Sequence, residues 1–141
     1  MVHGDYGLHN CLVNPDGELT AVLDWEISTL GDPMADFAYA LNTWAEPGDE
    51  LVNKENAPTL AEGFLGRAEL IDRYAAQTGC DLTDLPYYIS FNHFKSACII
   101  HGVYARYMQG QKSTDGVDLD YYRSRIGICI ELSKQAADEL D

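Results

Sequence analysis

A turn between two short apolar runs, near the start of this 141-residue chain, constrains its fold most strongly. The runs are Cys11-Leu12-Val13 and residues 19–23, and Asn14-Pro15-Asp16-Gly17 lies between them. Proline fixes φ and glycine tolerates a positive φ, so this tetrapeptide is typical of a tight turn between strands. The pattern therefore predicts a β-hairpin, and the residues that flank a hairpin lie together at its open end.

Polar side chains occupy that open end. Asn10 precedes the first strand, Asp24 follows the second, and Asp5 lies in the loop just before them. Amide and carboxylate oxygens suit Mg²⁺, which usually shares its coordination sphere with substrate phosphates and water. Asn10 and Asp24 are predicted to hold the metal, while Asp5 accepts a proton from an attacking hydroxyl or orients it. The set indicates phosphoryl transfer.

A helical segment follows the hairpin. Asp32-Pro33 is typical of a helix start, with aspartate as N-cap and proline at the first helical position. The helix is expected to end near Ala45, and its buried stripe consists of Met34, Phe37, Ala38, Leu41 and Trp44. Asp36 lies in the first turn, where the helix dipole favours an acid whether or not it serves the site.

Further helices are predicted along the rest of the chain, and the fold class is therefore α+β and predominantly α-helical. Residues 46–58 form an exposed loop, and the predicted helices are residues 59–64, 67–78 with Glu69 at a capping-box position, 83 or 84 to 108, and 120 onward. The long third helix has apolar residues round much of its circumference, which predicts a central place in the core. Its polar residues, among them His93 and Lys95, are interpreted as structural.

Composition excludes some classes of function. Nine basic and 23 acidic residues give a formal charge of −14, which disfavours nucleic acid and anionic membranes as partners. The acidic residues suit metal ions or cationic substrates, or they are simply solvated helix faces. The length and the 46% content of hydrophobic residues suit a single domain.

Cysteine spacing and hydropathy indicate the compartment. The four cysteines are far apart and form no Cys-x-x-Cys pair, so reduced thiols are expected rather than a zinc site or disulfides. Charged residues interrupt the apolar runs before they could span a membrane, and no signal peptide follows Met1. A soluble, cytoplasmic protein is the expectation.

Three short motifs in order carry a family resemblance. His3-Gly4-Asp5 with Asn10, Leu23-Asp24-Trp25-Glu26, and Leu30-Gly31-Asp32-Pro33 with Asp36 resemble the aminoglycoside phosphotransferase family, which has a protein-kinase-like fold. Farther along, the chain also resembles the kinase-like domain fused to some acyl-CoA dehydrogenases, through Arg67-Ala68-Glu69-Leu70-Ile71, Tyr74, Thr78-Gly79, Asp81-Leu82 and Tyr104-Ala105-Arg106-Tyr107.

The resemblance implies roles for individual residues. Asp5 would be the catalytic aspartate, and Asn10 and Asp24 the metal ligands. His3 would pack under the catalytic loop as a support, and Asp36 would accept hydrogen bonds from the backbone of that loop. Glu26 stands where many relatives have glycine, so it either contacts the metal through water or faces solvent.

The resemblance also implies a division of the chain. Residues 1–31 would form the catalytic loop and metal hairpin, and residues 32–141 a helical subdomain, together a carboxy-terminal lobe of protein-kinase-like fold. Met1 stands two residues before His3, and no glycine-rich phosphate loop occurs downstream. The amino-terminal nucleotide lobe is therefore expected to be absent, and no nucleotide-binding residue is assigned.

Three hypotheses follow. In the first, the chain is the catalytic lobe of a kinase that transfers the γ-phosphoryl group of ATP, with Mg²⁺, to a small hydroxylated substrate. In the second, it is a truncated, inactive lobe that serves as a binding or interaction module and self-associates through the uncovered floor of its cleft. The third is chance similarity in a generic helical domain.

Overall fold

A computed structural model describes residues 1–49 and 57–140, and it confirms the predicted class as α+β with a helical majority. Within these residues, three single-turn 3₁₀ segments accompany two strands and four helices. The strands and helices are β1 (Cys11–Val13), β2 (Leu19–Val22), α1 (Pro33–Thr43), α2 (Arg67–Thr78), α3 (Leu85–Met108) and α4 (Leu119–Asp138).

The predicted hairpin is present as an antiparallel two-stranded sheet, in which Cys11 pairs with Val22. Its turn closes because the Asn14 side-chain oxygen accepts the backbone N–H groups of Asp16 and Glu18, and Gly17 has a φ of +82°. At the open end, the Leu23 N–H donates to the Asn10 carbonyl at 2.8 Å. This bond extends the pairing and brings the two flanks of the hairpin together.

A short bridge closes the segment that contains the hairpin. Val2 and Thr29 exchange two antiparallel backbone hydrogen bonds, of 2.8 and 3.0 Å. The two ends of this segment therefore lie side by side, a few residues before α1 begins.

Helix α1 lies at the centre of the core. Its residues Met34, Phe37, Ala38 and Leu41 are buried together with Leu85. The Phe37 ring stacks on Tyr74 of α2, with centroids 3.8 Å apart. Asp32 caps the helix by accepting the Met34 N–H at 2.9 Å, as its position predicts. The helix ends at Thr43, two residues before the predicted end, and Trp44 turns its indole N–H to the Leu65 carbonyl at 2.8 Å.

Helix α3 is less buried than its composition predicts. It packs against α1 on one side and α4 on another, and Leu85, Asn92 and Ala97 are buried there. Many of its apolar side chains are nevertheless exposed, and these include Tyr87, Phe91, Phe94, Cys98 and Ile99. The central place predicted for α3 agrees with its packing against both α1 and α4, although the described residues cover only part of its apolar circumference.

The remaining boundaries differ from prediction in detail. Helix α2 lies between Gly66 and Gly79 as predicted, and Gly79 ends it with a φ of +68°. The capping contact comes from Glu46, whose carboxylate accepts the Arg67 backbone N–H at 2.8 Å, and not from Glu69. Of the predicted helix over 59–64, only Thr59 and Leu60 are helical, as part of the single 3₁₀ turn Pro58–Leu60.

The last helix begins at Leu119, one residue before the predicted start, because the Asp118 side chain accepts the Tyr121 N–H. Residues 50–56 of the predicted loop and Asp141 of the acidic tail lie outside the described residues. All four cysteines are free thiols. Among the helices described, none combines the length and the apolar character needed to cross a membrane.

Candidate active site

The loop that carries Asp5 is anchored to the first turn of α1. The Asp36 carboxylate accepts the backbone N–H of His3 at 2.5 Å and that of Gly4 at 2.8 Å. Gly4 has a φ of +87°, and a Cβ there would meet Ile27 at 3.2 Å, so a side chain would be both strained and crowded. Glycine at this position lets the loop reach Asp36.

His3 lies under the loop and is 2% exposed. Its Nε2–H donates to the Leu23 carbonyl at 2.7 Å, and its Nδ1 accepts the Asp5 N–H at 3.3 Å. These partners assign the ring proton to Nε2. The ring also packs on Trp25, with centroids 4.6 Å apart. One side chain thereby connects the Asp5 loop to the end of β2.

The Asp5 carboxylate is surrounded by hydrogen-bond donors. Its Oδ2 lies 3.4 Å from both the His9 Nε2 and the Asn10 Nδ2. Burial by itself acts to raise the pKa of Asp5. Hydrogen bonds from Tyr39, His9 and Asn10, together with the charge of His9, outweigh burial and lower that pKa below its ordinary 3.8. Asp5 is therefore ionised at neutral pH.

Tyr39, one turn after Asp36 on α1, is the donor that faces Asp5. Burial, and then its hydrogen bond to Asp5 and the charge of that carboxylate, raise the pKa of Tyr39 far above its ordinary 10.0. The phenol therefore keeps its proton at neutral pH. Lys95 of α3 lies over the Tyr39 ring, with its Nζ 4.5 Å from the ring centroid.

Asn10 and Asp24 are neighbours at the open end of the hairpin. The Asn10 amide is 8% exposed, and its Nδ2 donates to the Asp5 carbonyl at 2.9 Å. Its side-chain oxygen accepts no hydrogen bond from any residue in 1–49 or 57–140. Because Leu23 pairs with Asn10, Asp24 is the next residue along the partner strand.

Asp24 adopts an unusual backbone conformation. It has a φ of +63° and is the one non-glycine residue with positive φ in the described part of the chain. Such strain persists only where the surrounding structure enforces it, and it is frequent at functional sites. The carboxylates of Asp24 and Glu26 are exposed and form no hydrogen bond or ion pair with a described residue.

The donor set fits Mg²⁺. Asn10 and Asp24 flank the same end of the hairpin, and an amide oxygen and an exposed carboxylate are the kinds of ligand suited to a cation that takes one or two protein oxygens and completes its shell with phosphates and water. Among the described residues, no group of three or more His, Cys, Asp or Glu side chains could hold a metal ion. A cation at this edge would therefore depend on additional ligands.

A groove with a volume of about 940 Å³ adjoins the Asp5 loop. The loop residues 6–9 line one wall of this groove, and residues of α1 and α2 line the rest of it together with Cys11, Val13 and residues between the two helices. Most of its lining is apolar and includes Leu8, Phe37, Trp44, Phe64 and Tyr74, with Arg73 among the polar exceptions. Ligand sites commonly combine an apolar lining with a few polar groups.

The structure brings together most of the residues that the sequence singles out. His3, Asp5, Asn10 and Asp36 are connected by direct hydrogen bonds, and Asp24 adjoins Asn10, whereas Glu26 stands apart from this network. Their catalytic and metal-binding roles remain predictions.

Three residues around Asp5 were not assigned to the site from the sequence, and one of them, Lys95, was interpreted as structural. His9 lies four residues after Asp5 in the same motif, so its spacing was a usable signal. Tyr39 lies one helical turn after Asp36, which was a weaker one. Lys95 is 91 residues from its partner Gly4, and nothing in the sequence connects the two.

Comparison with known proteins identifies the family. A family model described as "Phosphotransferase enzyme family" matches residues 1–79, more than half of the chain. This range covers the Asp5 loop, the hairpin and α1, and ends after α2. The chain belongs to this family.

The similar curated proteins are much longer. "Acyl-CoA dehydrogenase family member 10" of Mus musculus is 38% identical over 125 residues, covering 81% of this chain and 11% of its own length. "Acyl-CoA dehydrogenase family member 11" of Gallus gallus is 35% identical over 121 residues, covering 82% of this chain and 16% of its own length. The chain therefore spans less than a fifth of these relatives.

A plant relative extends the same pattern. "Probable acyl-CoA dehydrogenase IBR3" of Arabidopsis thaliana is 32% identical over 120 residues, covering 80% of this chain and 15% of its own length. These similarities confirm the relation, predicted from the sequence, to domains fused to acyl-CoA dehydrogenases. No solved structure matches the chain.

Proposed function

We propose that the chain is the catalytic lobe of a cytoplasmic small-molecule kinase with a protein-kinase-like fold. It transfers the γ-phosphoryl group of ATP to a hydroxyl group of its substrate. The observation that carries the proposal is the hydrogen-bonded connection of Asp5 to Asn10, and of both to the backbone next to Asp24. In this proposal one base and two oxygen ligands come from the same end of the hairpin, a combination used in phosphoryl transfer.

Each residue has a defined task in this proposal. Asp5 accepts the proton of the acceptor hydroxyl while the hydroxyl oxygen forms a bond to the γ-phosphorus. The bond to the bridging oxygen breaks, and ADP leaves with that electron pair. Asn10 and Asp24 hold Mg²⁺, which stabilises charge on the phosphates when it is bound. His3 and Asp36 keep the loop in place.

The groove beside the loop provides a place for the acceptor. Its wall at residues 6–9 follows Asp5 directly, so a hydroxyl at this end of the groove would lie near the base. The apolar lining favours an acceptor that carries an apolar part next to its hydroxyl. Arg73 would favour an anionic group at the opposite wall.

The substitution Asp5→Asn in the natural polypeptide that contains this chain tests the proposal. We expect phosphoryl transfer from Mg²⁺·ATP to a panel of hydroxylated metabolites to fall by about 10²- to 10⁴-fold, since that is the usual contribution of a general base. Radiolabel transfer from γ-labelled ATP measures it, and circular dichroism checks the fold. Asp16→Asn, in the exposed hairpin turn, is the matched control. Full turnover by the Asp5→Asn protein would refute the assignment.

A second candidate function has one observation in its favour. The hairpin exposes apolar side chains, with Leu12 at 48%, Val13 at 65% and Leu19 at 55%. An inactive lobe could use the hairpin to bind a second copy of the chain. Calorimetry with Mg²⁺·ATP separates the two functions, because only the kinase requires nucleotide binding.

A further inference from the structure

The peptide group between Gly4 and Asp5 is held at both of its polar atoms. Its carbonyl oxygen accepts a hydrogen bond from the Lys95 Nζ at 3.0 Å. Its N–H donates to the His3 Nδ1 at 3.3 Å. The direction in which the Asp5 side chain leaves the backbone depends on the orientation of this peptide plane. Lys95, on α3, therefore acts on the orientation of Asp5 although it comes from a distant part of the chain.

Lys95 also supports the side chain of Asp5 indirectly. Its ammonium group lies 4.5 Å from the centroid of the Tyr39 ring, within the range of a cation–π interaction. The Tyr39 hydroxyl in turn lies close enough to the Asp5 carboxylate for each group to shift the pKa of the other. Lys95 thus contacts both the peptide that precedes Asp5 and the ring of a tyrosine that neighbours its carboxylate.

The backbone of Gly4 is held from two helices. Asp36 on α1 accepts the Gly4 N–H at 2.8 Å, while Lys95 on α3 donates to the Gly4 carbonyl. Glycine is conformationally permissive because it has no side chain, and Gly4 adopts a positive φ. Two charged side chains from separate helices remove that freedom at the residue directly before the proposed base.

We propose that Lys95 is a positioning residue for phosphoryl transfer, which fixes the Gly4–Asp5 peptide and Tyr39 so that the Asp5 carboxylate faces the acceptor hydroxyl. This inference rests on the function proposed above. Lys95 acts through Gly4 and Tyr39 and needs no contact with substrate. Its loss is costly because a displacement of about 1 Å at a reacting group lowers rates by about 100-fold.

The test compares Lys95→Met with Lys95→Arg in the natural polypeptide. We expect Lys95→Met to lower kcat by about 10- to 100-fold with the KM values for ATP and acceptor unchanged, because orientation and not binding is affected. Lys95→Arg keeps the charge and the donor and restores most of the rate. Lys134→Met, on the exposed face of α4, is the matched control and leaves kcat unchanged.

A measurement without turnover accompanies the kinetics. In ¹H–¹⁵N NMR spectra of the folded chain, Lys95→Met is expected to shift the amide signals of Gly4 and Asp5 and to leave those of α4 in place. Tyr39→Phe, which removes one hydroxyl, is expected to shift the Asp5 signal as well. It serves as the deciding variant if Lys95→Met fails to fold.

The outcomes distinguish this inference from the function on which it rests. If Asp5→Asn retains turnover, the proposed function fails. If Asp5→Asn is inactive but Lys95→Met keeps the wild-type kcat and amide signals, only the positioning role is overturned. A rise in KM without a fall in kcat, or no recovery in Lys95→Arg, also overturns it.

Discussion

His93, on α3, is held in its neutral form by its surroundings. Burial lowers the pKa of His93 from 6.5 to about 4, and the charge of Arg67 acts in the same direction. The unfolded chain therefore binds a proton between these two pH values that the folded chain does not bind. This histidine destabilises the fold progressively as the pH falls from 6.5 toward about 4.

The substitution His93→Gln is expected to weaken this pH dependence. The urea midpoint of unfolding should fall less between about pH 7 and about pH 5 in the variant than in the wild type, because one linked proton is removed. His101→Gln, at an exposed position on the same helix, is the control. Equal losses in the wild type and His93→Gln would contradict the expectation.

At the residue scale, sequence identifies local chemistry better than long-range contacts. Asp5, Asn10 and Asp24 were found because each belongs to a short motif or to a hairpin flank. The partners Tyr39 and Lys95 come from helices, and their approach to Asp5 depends on how α1 and α3 pack. No local pattern records that packing, so these two residues required the structure.

Helices α3 and α4 are joined by a reciprocal pair of serine hydrogen bonds. The Ser90 hydroxyl donates to the Ser133 carbonyl at 2.8 Å, and the Ser133 hydroxyl donates to the Ser90 carbonyl at 2.9 Å. The two hydroxyl oxygens lie 3.1 Å apart. Small side chains at this crossing let the helix backbones come close together.

Substitution of one of these serines is expected to weaken the packing of α3 against α4. Ser133→Ala should lower the free energy of unfolding by about 0.5–1.5 kcal/mol, the usual net value of a hydrogen bond. Ser133→Leu should cost more, by about 1–3 kcal/mol, because it overpacks the crossing. Guanidinium unfolding measures both, with Ser124→Ala on the exposed side of α4 as control. A Ser133→Leu protein as stable as the wild type would contradict close packing here.

The helix boundaries that were predicted most accurately from the sequence are those marked by local start and stop signals. Asp32-Pro33 and the pair Gly66 and Gly79 define boundaries through their own backbone chemistry, and the structure confirms them. The cap of α2 was missed because Glu46 reaches it from 21 residues away. The exposed apolar side chains of α3 could not be foreseen, because apolar content does not reveal which faces receive a neighbour.

At the scale of the whole molecule, an uncovered sheet coexists with a large negative charge. Among residues 1–49 and 57–140 the sheet has two strands, each with an edge that no described strand pairs with, and the side chains of Leu12 and Leu19 are exposed. Open edges and apolar faces favour association with a second strand. The net charge of −14 opposes the approach of two copies.

Self-association through the hairpin should therefore depend on salt. We expect sedimentation velocity to show a larger dimer fraction as ionic strength rises from about 0.01 M to about 0.15 M, since the Debye length falls from about 30 to about 8 Å. The double variant Leu12→Gln and Leu19→Gln should remain monomeric. Tyr87→Gln, on the exposed face of α3, is the control for a different contact surface. Dimers that form equally well with the hairpin substitutions would exclude the hairpin as the contact surface.

The Val2–Thr29 bridge has a consequence for how such a molecule can change over evolutionary time. Val2 and Thr29, the ends of the segment that this bridge closes, are hydrogen-bonded neighbours. The proposed base and both proposed metal ligands therefore lie within one continuous segment that could be exchanged as a unit. Recombination could insert a hairpin of another length without altering the entry into α1. An exchanged segment would not include Asp36 and Lys95, which hold Gly4 from α1 and α3. The helices of the recipient protein would therefore have to supply equivalent contacts to orient the proposed base.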